Sequence, residues 1–421
     1  MTAEIAVMNR VAIALAADSA ATSMHGNVAK IYDTADKLFN LDHSCPVGAM
    51  LYGGSSFLDL PWEIVIKQFR SAHSKVRPLL KDYANAFLAF LTSDELISDE
   101  FVDAYFFSTS NGKLQELLRA ARRGRRTTGG TLIESIKLEA KKTLEDLSNR
   151  PFLPPMDETT IEALRQRYGT NISELVADGL KVAGPADPEV NNNVIDVLLL
   201  SMTKEVELDS TGLVIAGYGE AELFPGLIQL EIEGVIYPRT LRYRQKRETG
   251  ISLGNRAGIV PFAQAEMVHS FMTGADPSFK VNVSTVFENL LERFGSLLIS
   301  EVSSSISSSE QQRLAGVIAS ARQTATSEFG GELNEYARKY HIDPVIAAVA
   351  VLPKDQLAVM AETLVALTSF KRRMSKDLET VGGAIDVAVI SKGDGFVWIK
   401  RKHYFDGDLN PRYFQRIQSR S

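Results

Sequence analysis

Residues 2–22 read TAEIAVMNRVAIALAADSAAT. Val11, Ile13 and Leu15 alternate with Ala12, Ala14 and Ala16, the two-residue period of a strand with one bulky face and one uniformly small face. Both faces read as buried. That pattern predicts a sheet inside a layered fold, with another layer closely approaching the alanine face. Asn9-Arg10 separates this strand from the shorter run Glu4–Met8, as in a hairpin.

Working outward, KLFNL at 37–41 and PVGAMLYGG at 46–54 read as further strands ending in a glycine turn. Ser55 and Ser56 are then expected to cap a helix through FLDLPWEIVIKQFR. From about 76 to 207 the texture is helical, with breaks at Gly124, Gly129-Gly130 and the cluster Pro151, Pro154, Pro155. Strand texture returns at 211–237, and a second helical stretch fills about 280–375. Its serine-rich joint at 303–313 is expected to be a turn and helix N-cap. GGAIDVAVISKGDGFVWI, from Gly382, closes the series as two strands joined at Lys392–Gly395. Strand pairs at both chain ends favour an α/β sandwich interrupted by helices over parallel βαβ winding.

The 421 residues are 45% hydrophobic and 23% charged, an ordinary globular balance with enough apolar material for a large core. A net charge of −6 gives no basic excess, so nucleic acid is not an expected partner. The first twenty residues carry Glu4, Arg10 and Asp18, unlike a secretory signal, and no apolar run is long enough for a membrane span. The single cysteine, Cys45, suits a reducing compartment, and the chain is expected to be cytoplasmic. The six histidines lack metal-ligand spacing, and no nucleotide-binding loop occurs. Neither a metal nor another cofactor is expected. GYGEAE at 217–222 lacks the third glycine of a dinucleotide fingerprint. Arg119, Arg122, Arg123, Arg125 and Arg126 gather at a helix end, read as a solvated turn or as a dock for an acidic partner or nucleic acid, though no aromatics interleave with them.

Chemistry enters at Thr2. Removal of the initiator methionine would give this residue a free amine beside its hydroxyl, combining nucleophile and base in one residue. Such a nucleophile needs a cation, a carboxylate to hold the cation, and N–H donors for an oxyanion. Lys37, Asp18 and the Gly53-Gly54 turn are candidates for these parts. By spacing alone, the favoured reading is an ordinary partly buried salt bridge between Asp18 and Lys37, with Thr2 merely a terminal residue.

The opening stretch resembles the amino end of a proteasome β-subunit, with Thr2 at the terminal threonine and sixteen positions from it to Asp18. DKLFNL is similar to the segment carrying the family's lysine, which implies that role for Lys37, and AMLYGG implies the oxyanion role for Gly53. Thr22 matches a position lining the substrate cleft, and Ser55 one shaping the pocket for the side chain before the scissile bond. The closing strands from Gly382 are similar to the family's last strand pair.

The resemblance implies an α+β fold, the four-layer αββα sandwich of N-terminal nucleophile hydrolases. Its core would be 2–75, 208–274 and 366–405, with helical insertions at 76–207 and 275–365. It implies a threonine-type peptidase acting on peptide or protein substrate, assembled as a homo-oligomer in rings or stacks, with a separate ATPase or regulator as a further partner. A catalytically silent scaffold and a small-molecule amidase are the alternatives. The family's supporting Ser-Asp-Ser group is altered. Ala257 or Gly258 stands at the first serine, and Leu378 and Val381 stand at the other two positions, with Asp377, Glu379 and Thr380 nearby.

Overall fold

The hairpin read from the opening residues forms. In the computed structural model, which describes all residues except 1–2, 26–27, 33, 43–44, 186, 303–304, 375–381 and 419–421, β1 (Ala3–Asn9) pairs antiparallel with β2 (Ile13–Ala17). Next come β3 (Ala21–His25), β4 (Val28–Tyr32), β5 (Leu38–Asn40), β6 (Val47–Gly53), β7 (Ser56–Phe57) and β8 (Leu60–Pro61). Six helices follow: α1 (Trp62–His73), α2 (Leu80–Leu91), α3 (Asp99–Thr128), α4 (Leu132–Asn149), α5 (Glu158–Leu180) and α6 (Pro188–Thr203). Four strands follow them: β9 (Thr211–Gly217), β10 (Gly226–Ile236), β11 (Thr240–Gly250) and β12 (Ala257–Ala263). The remainder is α7 (Glu266–Thr273), α8 (Pro277–Val302), α9 (Ser308–Ala337), α10 (Asp343–Val349), α11 (Lys354–Arg373), β13 (Asp386–Ser391), β14 (Gly395–Lys400) and α12 (Pro411–Gln418). The fold class is mixed α+β with antiparallel sheets.

The chain divides into two units, one of residues 1–52, 216–226 and 249–421, the other of 53–215 and 227–248. The helical stretch expected at 76–207 lies in the second unit, and that at 275–365 lies in the first. Among the described residues no helix is long and apolar enough to cross a membrane.

The first unit is built on a five-stranded sheet in the order β12-β1-β2-β13-β14, antiparallel at every step. Ala12, Ala14 and Ala16 form its small face, and α11 lies against them through Leu357, Ala358, Ala361 and Leu364. Alanine on both sides of the contact lets the helix backbone come close to the sheet, as the sequence predicted. The opposite face meets the β5–β6 pair. There Gly48 is required, because a Cβ would lie 2.8 Å from Ile390 Cδ1 and 2.9 Å from the Phe396 ring. Asn9 fixes the β1–β2 turn. Its Oδ1 accepts from Val11 N at 2.9 Å, while its Nδ2 donates to Val349 O and Leu352 O at the end of α10. In the same unit Ser307 caps α9 in a box with Glu310, as expected from the serine-rich joint.

In the second unit α3 to α6 enclose a core that includes Leu114, Ile136, Leu164, Ile172, Val194 and Leu198. Thr131, Asp157 and Asp187 cap three of these helices, the first two just after the breaks expected at Gly129-Gly130 and the proline cluster, whereas the break expected at Gly124 does not occur and α3 runs through it. Arg242 of β11 is fully buried and binds Glu233 of β10 at 2.8 Å, and Arg244 pairs with the same carboxylate. The expected cap at Ser55 or Ser56 does not form. Leu58 (φ 49°) and Asp59 (φ 64°) turn the chain into the short β7–β8 hairpin, and α1 starts only at Trp62 after Pro61. Proline cannot donate to a preceding turn, so the helix starts beyond it.

Gly217, read from sequence only as part of an incomplete fingerprint, has a structural role. Its φ is 140°, and a Cβ would lie 2.0 Å from the Pro46 carbonyl oxygen. Gly217→Ala should destabilise the protein by about 2–4 kcal/mol through positive φ and the clash together. Urea unfolding measures this, and a loss below about 0.5 kcal/mol would contradict the packing described.

Candidate functional site

Asp18 lies just beyond β2 with its side chain wholly buried, and three donors converge on it. Lys37 Nζ donates to Oδ1 at 2.7 Å, Ala3 N to Oδ1 at 3.0 Å, and Gly382 N to Oδ2 at 3.0 Å. Its backbone N–H returns a bond to Ala3 O at 3.1 Å. Residue 3 is therefore clamped by both the main chain and the side chain of one aspartate. Ser19 extends the tie, donating through its N–H to Gly382 O at 3.2 Å and through its hydroxyl to Ala384 O at 2.5 Å. Lys37 is held in turn, since Leu51 N donates to its carbonyl at 2.9 Å. Neighbouring Asp36 pairs with Lys402, which also binds Asp386 of β13. Sequence inspection missed the Asp36–Lys402–Asp386 group, because its members come from distant segments.

Glu4 was also missed as a functional candidate. It stands opposite Ala17 in β2 and Phe262 in β12, and is only 2% exposed. Its neighbours Ala3, Ile5 and Val7 face the helix layer, so strand alternation turns Glu4 to the side of β5 and β6. Among the described residues neither carboxyl oxygen has a hydrogen-bond partner. Burial pushes this carboxyl well above the usual range. Lys37 lowers it and Asp18 raises it, and burial dominates. The signal in the sequence is a single acid on the inward face of an otherwise apolar strand.

Of the residues singled out by sequence, the structure brings together Asp18 and Lys37. Thr2 lies outside the described residues, as do Asp377, Leu378, Glu379, Thr380 and Val381. Thr22 falls in β3, opposite Ile31 of β4. Gly53 and Ser55 belong to the second unit and are exposed. Gly53 has φ 83°, and a Cβ there would lie 3.0 Å from Ser210 O. The adjoining turn is locked, since Trp62 Nε1 donates to Thr211 Oγ1 at 3.0 Å and that hydroxyl donates to Gly54 O at 3.2 Å. A cavity of about 360 Å³ in this unit is bordered by Gly54, Asp59, Tyr105, Asp209 and Thr211.

Ala257 and Gly258 cannot supply the first position of the supporting group. They pair with Asn9 and Met8, whereas Ala263 pairs with Ala3. Six residues of strand put Ala257 about 20 Å from the Asp18 clamp. The residue following Ala263 is Gln264, which is buried and accepts a bond from Arg372 at 2.5 Å.

Asp18→Asn and Lys37→Met should each cost about 3–5 kcal/mol in denaturant unfolding, because each leaves a buried group without its opposite charge. The double variant should cost less than the sum of the two, and strict additivity would show that the pair is not coupled. Glu4 gives a pH signature. It keeps its proton in the folded state while the unfolded carboxyl ionises near pH 4.3, so its contribution to stability falls as pH rises from there toward the folded value. Glu4→Gln removes that dependence. Wild type should lose stability relative to this variant between about pH 4 and pH 7, and a pH-independent gap in melting temperature would contradict the protonation described.

No protein-family model and no curated protein matches the chain. Among solved structures it is similar to Anbu (ancestral beta-subunit) from Yersinia bercovieri, with 9% sequence identity over 99% of this chain and 95% of that one. The TM-score is 0.25, too weak a likeness to settle the fold or to assign a site.

Proposed function

We propose that the chain is a proteasome-like N-terminal nucleophile hydrolase, a threonine-type peptidase of the four-layer αββα class. The observation that carries this reading is the buried Asp18 carboxylate, which holds the Lys37 ammonium at 2.7 Å and the N–H of Ala3 at 3.0 Å. A cation is thereby fixed beside the residue that follows Thr2. With Met1 removed, the Thr2 hydroxyl attacks the scissile carbonyl, forming the Oγ–C bond while its proton passes to the Thr2 amine. Lys37 favours the alkoxide character of Oγ, and Asp18 keeps Lys37 in place. The N–H of Gly53 is assigned to the oxyanion, in keeping with its positive φ at a turn locked by Thr211 and Trp62. Collapse breaks the C–N bond and the amine returns its proton to the leaving nitrogen. Water then cleaves the acyl ester by the same proton route. Thr22 and Ser55 are assigned to the substrate, and the helical segments 76–207 and 275–365 to access or assembly.

A second reading, a silent scaffold, is favoured by one observation. The residue opposite Ala3 in β12 is Ala263, with no hydroxyl to orient a terminal amine.

The deciding test combines intact mass with labelling by a peptide epoxyketone, which needs both a hydroxyl and a free amine on one residue. Mature protein beginning at Thr2 should be labelled there. Thr2→Ala should abolish labelling and lower peptide cleavage about a thousandfold or more. Retained Met1, or no labelling of protein that begins at Thr2, sinks the peptidase reading in favour of the scaffold.

A further inference from the structure

Glu4 plays no part in the steps above, yet it is buried on the strand whose first residue Asp18 clamps, and Lys37 and Asp18 both act on it electrostatically. Its strand neighbours across both ladders, Ala17 and Phe262, have no side-chain donors. Both of its oxygens are shut off from solvent, with no hydrogen bond among the described residues. Asp18, by contrast, receives three donors, including the ammonium. Two acids thus share the neighbourhood of one cation, and only one of them is equipped to carry charge. An ionised carboxylate without donors in an apolar site costs several kcal/mol, and the group takes up a proton instead.

We propose that Glu4 is a positioning residue of the Lys37 site, a buried acid that keeps its proton so that Asp18 alone balances the ammonium and the site can accept the negative charge of an alkoxide. This inference rests on the threonine-nucleophile reading. With Glu4 neutral, Lys37 and Asp18 sum to zero, and negative charge developing on Oγ meets the Lys37 ammonium with one carboxylate beside it instead of two. With Glu4 ionised, its proton lost to solvent, the local sum becomes one negative charge, and the same alkoxide is repelled at low dielectric. Of the charged groups acting on Glu4, Asp18 favours the protonated form and Lys37 opposes it, and burial outweighs both. The direction of the titration is set by burial, and the charge balance by geometry.

The test is the pH profile of epoxyketone labelling at residue 2, measured on the mature full-length protein and on Glu4→Gln. Wild type should show an alkaline limb that disappears, or moves up by at least about one pH unit, in the variant, a tenfold change in rate on that limb. Profiles of the same shape in both proteins overturn the proposal. Infrared spectroscopy gives a readout independent of activity, because a protonated buried carboxyl has its own carbonyl stretch, which should persist above the pH at which ordinary carboxyls ionise and be lost in Glu4→Gln. Absence of that band in wild type also overturns the proposal. If wild type is not labelled at any pH, the threonine reading fails by itself. The charge-setting role falls with it, and a Glu4-dependent band then supports only the buried acid.

Discussion

One carboxylate organises the centre of the first unit. Asp18 draws together Ala3, Lys37 and Gly382, three points separated by most of the chain's length, and every donor is a group that would otherwise be buried without a partner. The backbone N–H groups of residues 3 and 382 would each lose a partner if the aspartate were absent, at about 1–3 kcal/mol apiece. The clamp is therefore structural before it is chemical. It brings the strand that starts the chain, the segment before β5 and the approach to β13 into one place, with a cation already fixed there.

The layers around the clamp depend on size more than on polarity. Alanines at 12, 14 and 16 against Ala358 and Ala361 bring α11 onto the sheet, and Gly48 brings the β5–β6 pair onto the other side. Close approach on both faces removes water from the space between, which is why Glu4 has neither solvent nor donors. The buried acid follows from the same packing that makes the sheet stable. The second unit solves a comparable problem differently, satisfying the Glu233 carboxylate with Arg242 and Arg244 from the neighbouring strand.

Much of this is legible in the residues. Period-two alternation announces the β1–β2 hairpin and its small face, Gly129-Gly130 and the proline cluster mark helix ends although α3 runs unbroken through Gly124, and the Lys392–Gly395 turn joins the last strands. Ser55 and Ser56 mislead because their cap propensity is local, while Leu58 and Asp59 adopt a left-handed turn that propensity does not foresee. Ala257 and Gly258 mislead for another reason. Motif alignment fixes a neighbourhood in sequence but not the register of strand pairing, and the register puts them at the wrong end of β1.

The sequence by itself determined the strand and helix pattern, the small-residue faces and the pairing of Asp18 with Lys37 as candidates, because these depend on side-chain chemistry at fixed local spacing. The tertiary structure alone decided that Asp18 collects three donors and that Glu4 collects none. Hydrogen-bond satisfaction is a property of what surrounds a group, and the groups that surround these two acids come from segments separated by dozens to hundreds of residues. Two carboxyls fourteen positions apart, on strands a single hairpin joins, are thus driven to opposite roles by their surroundings.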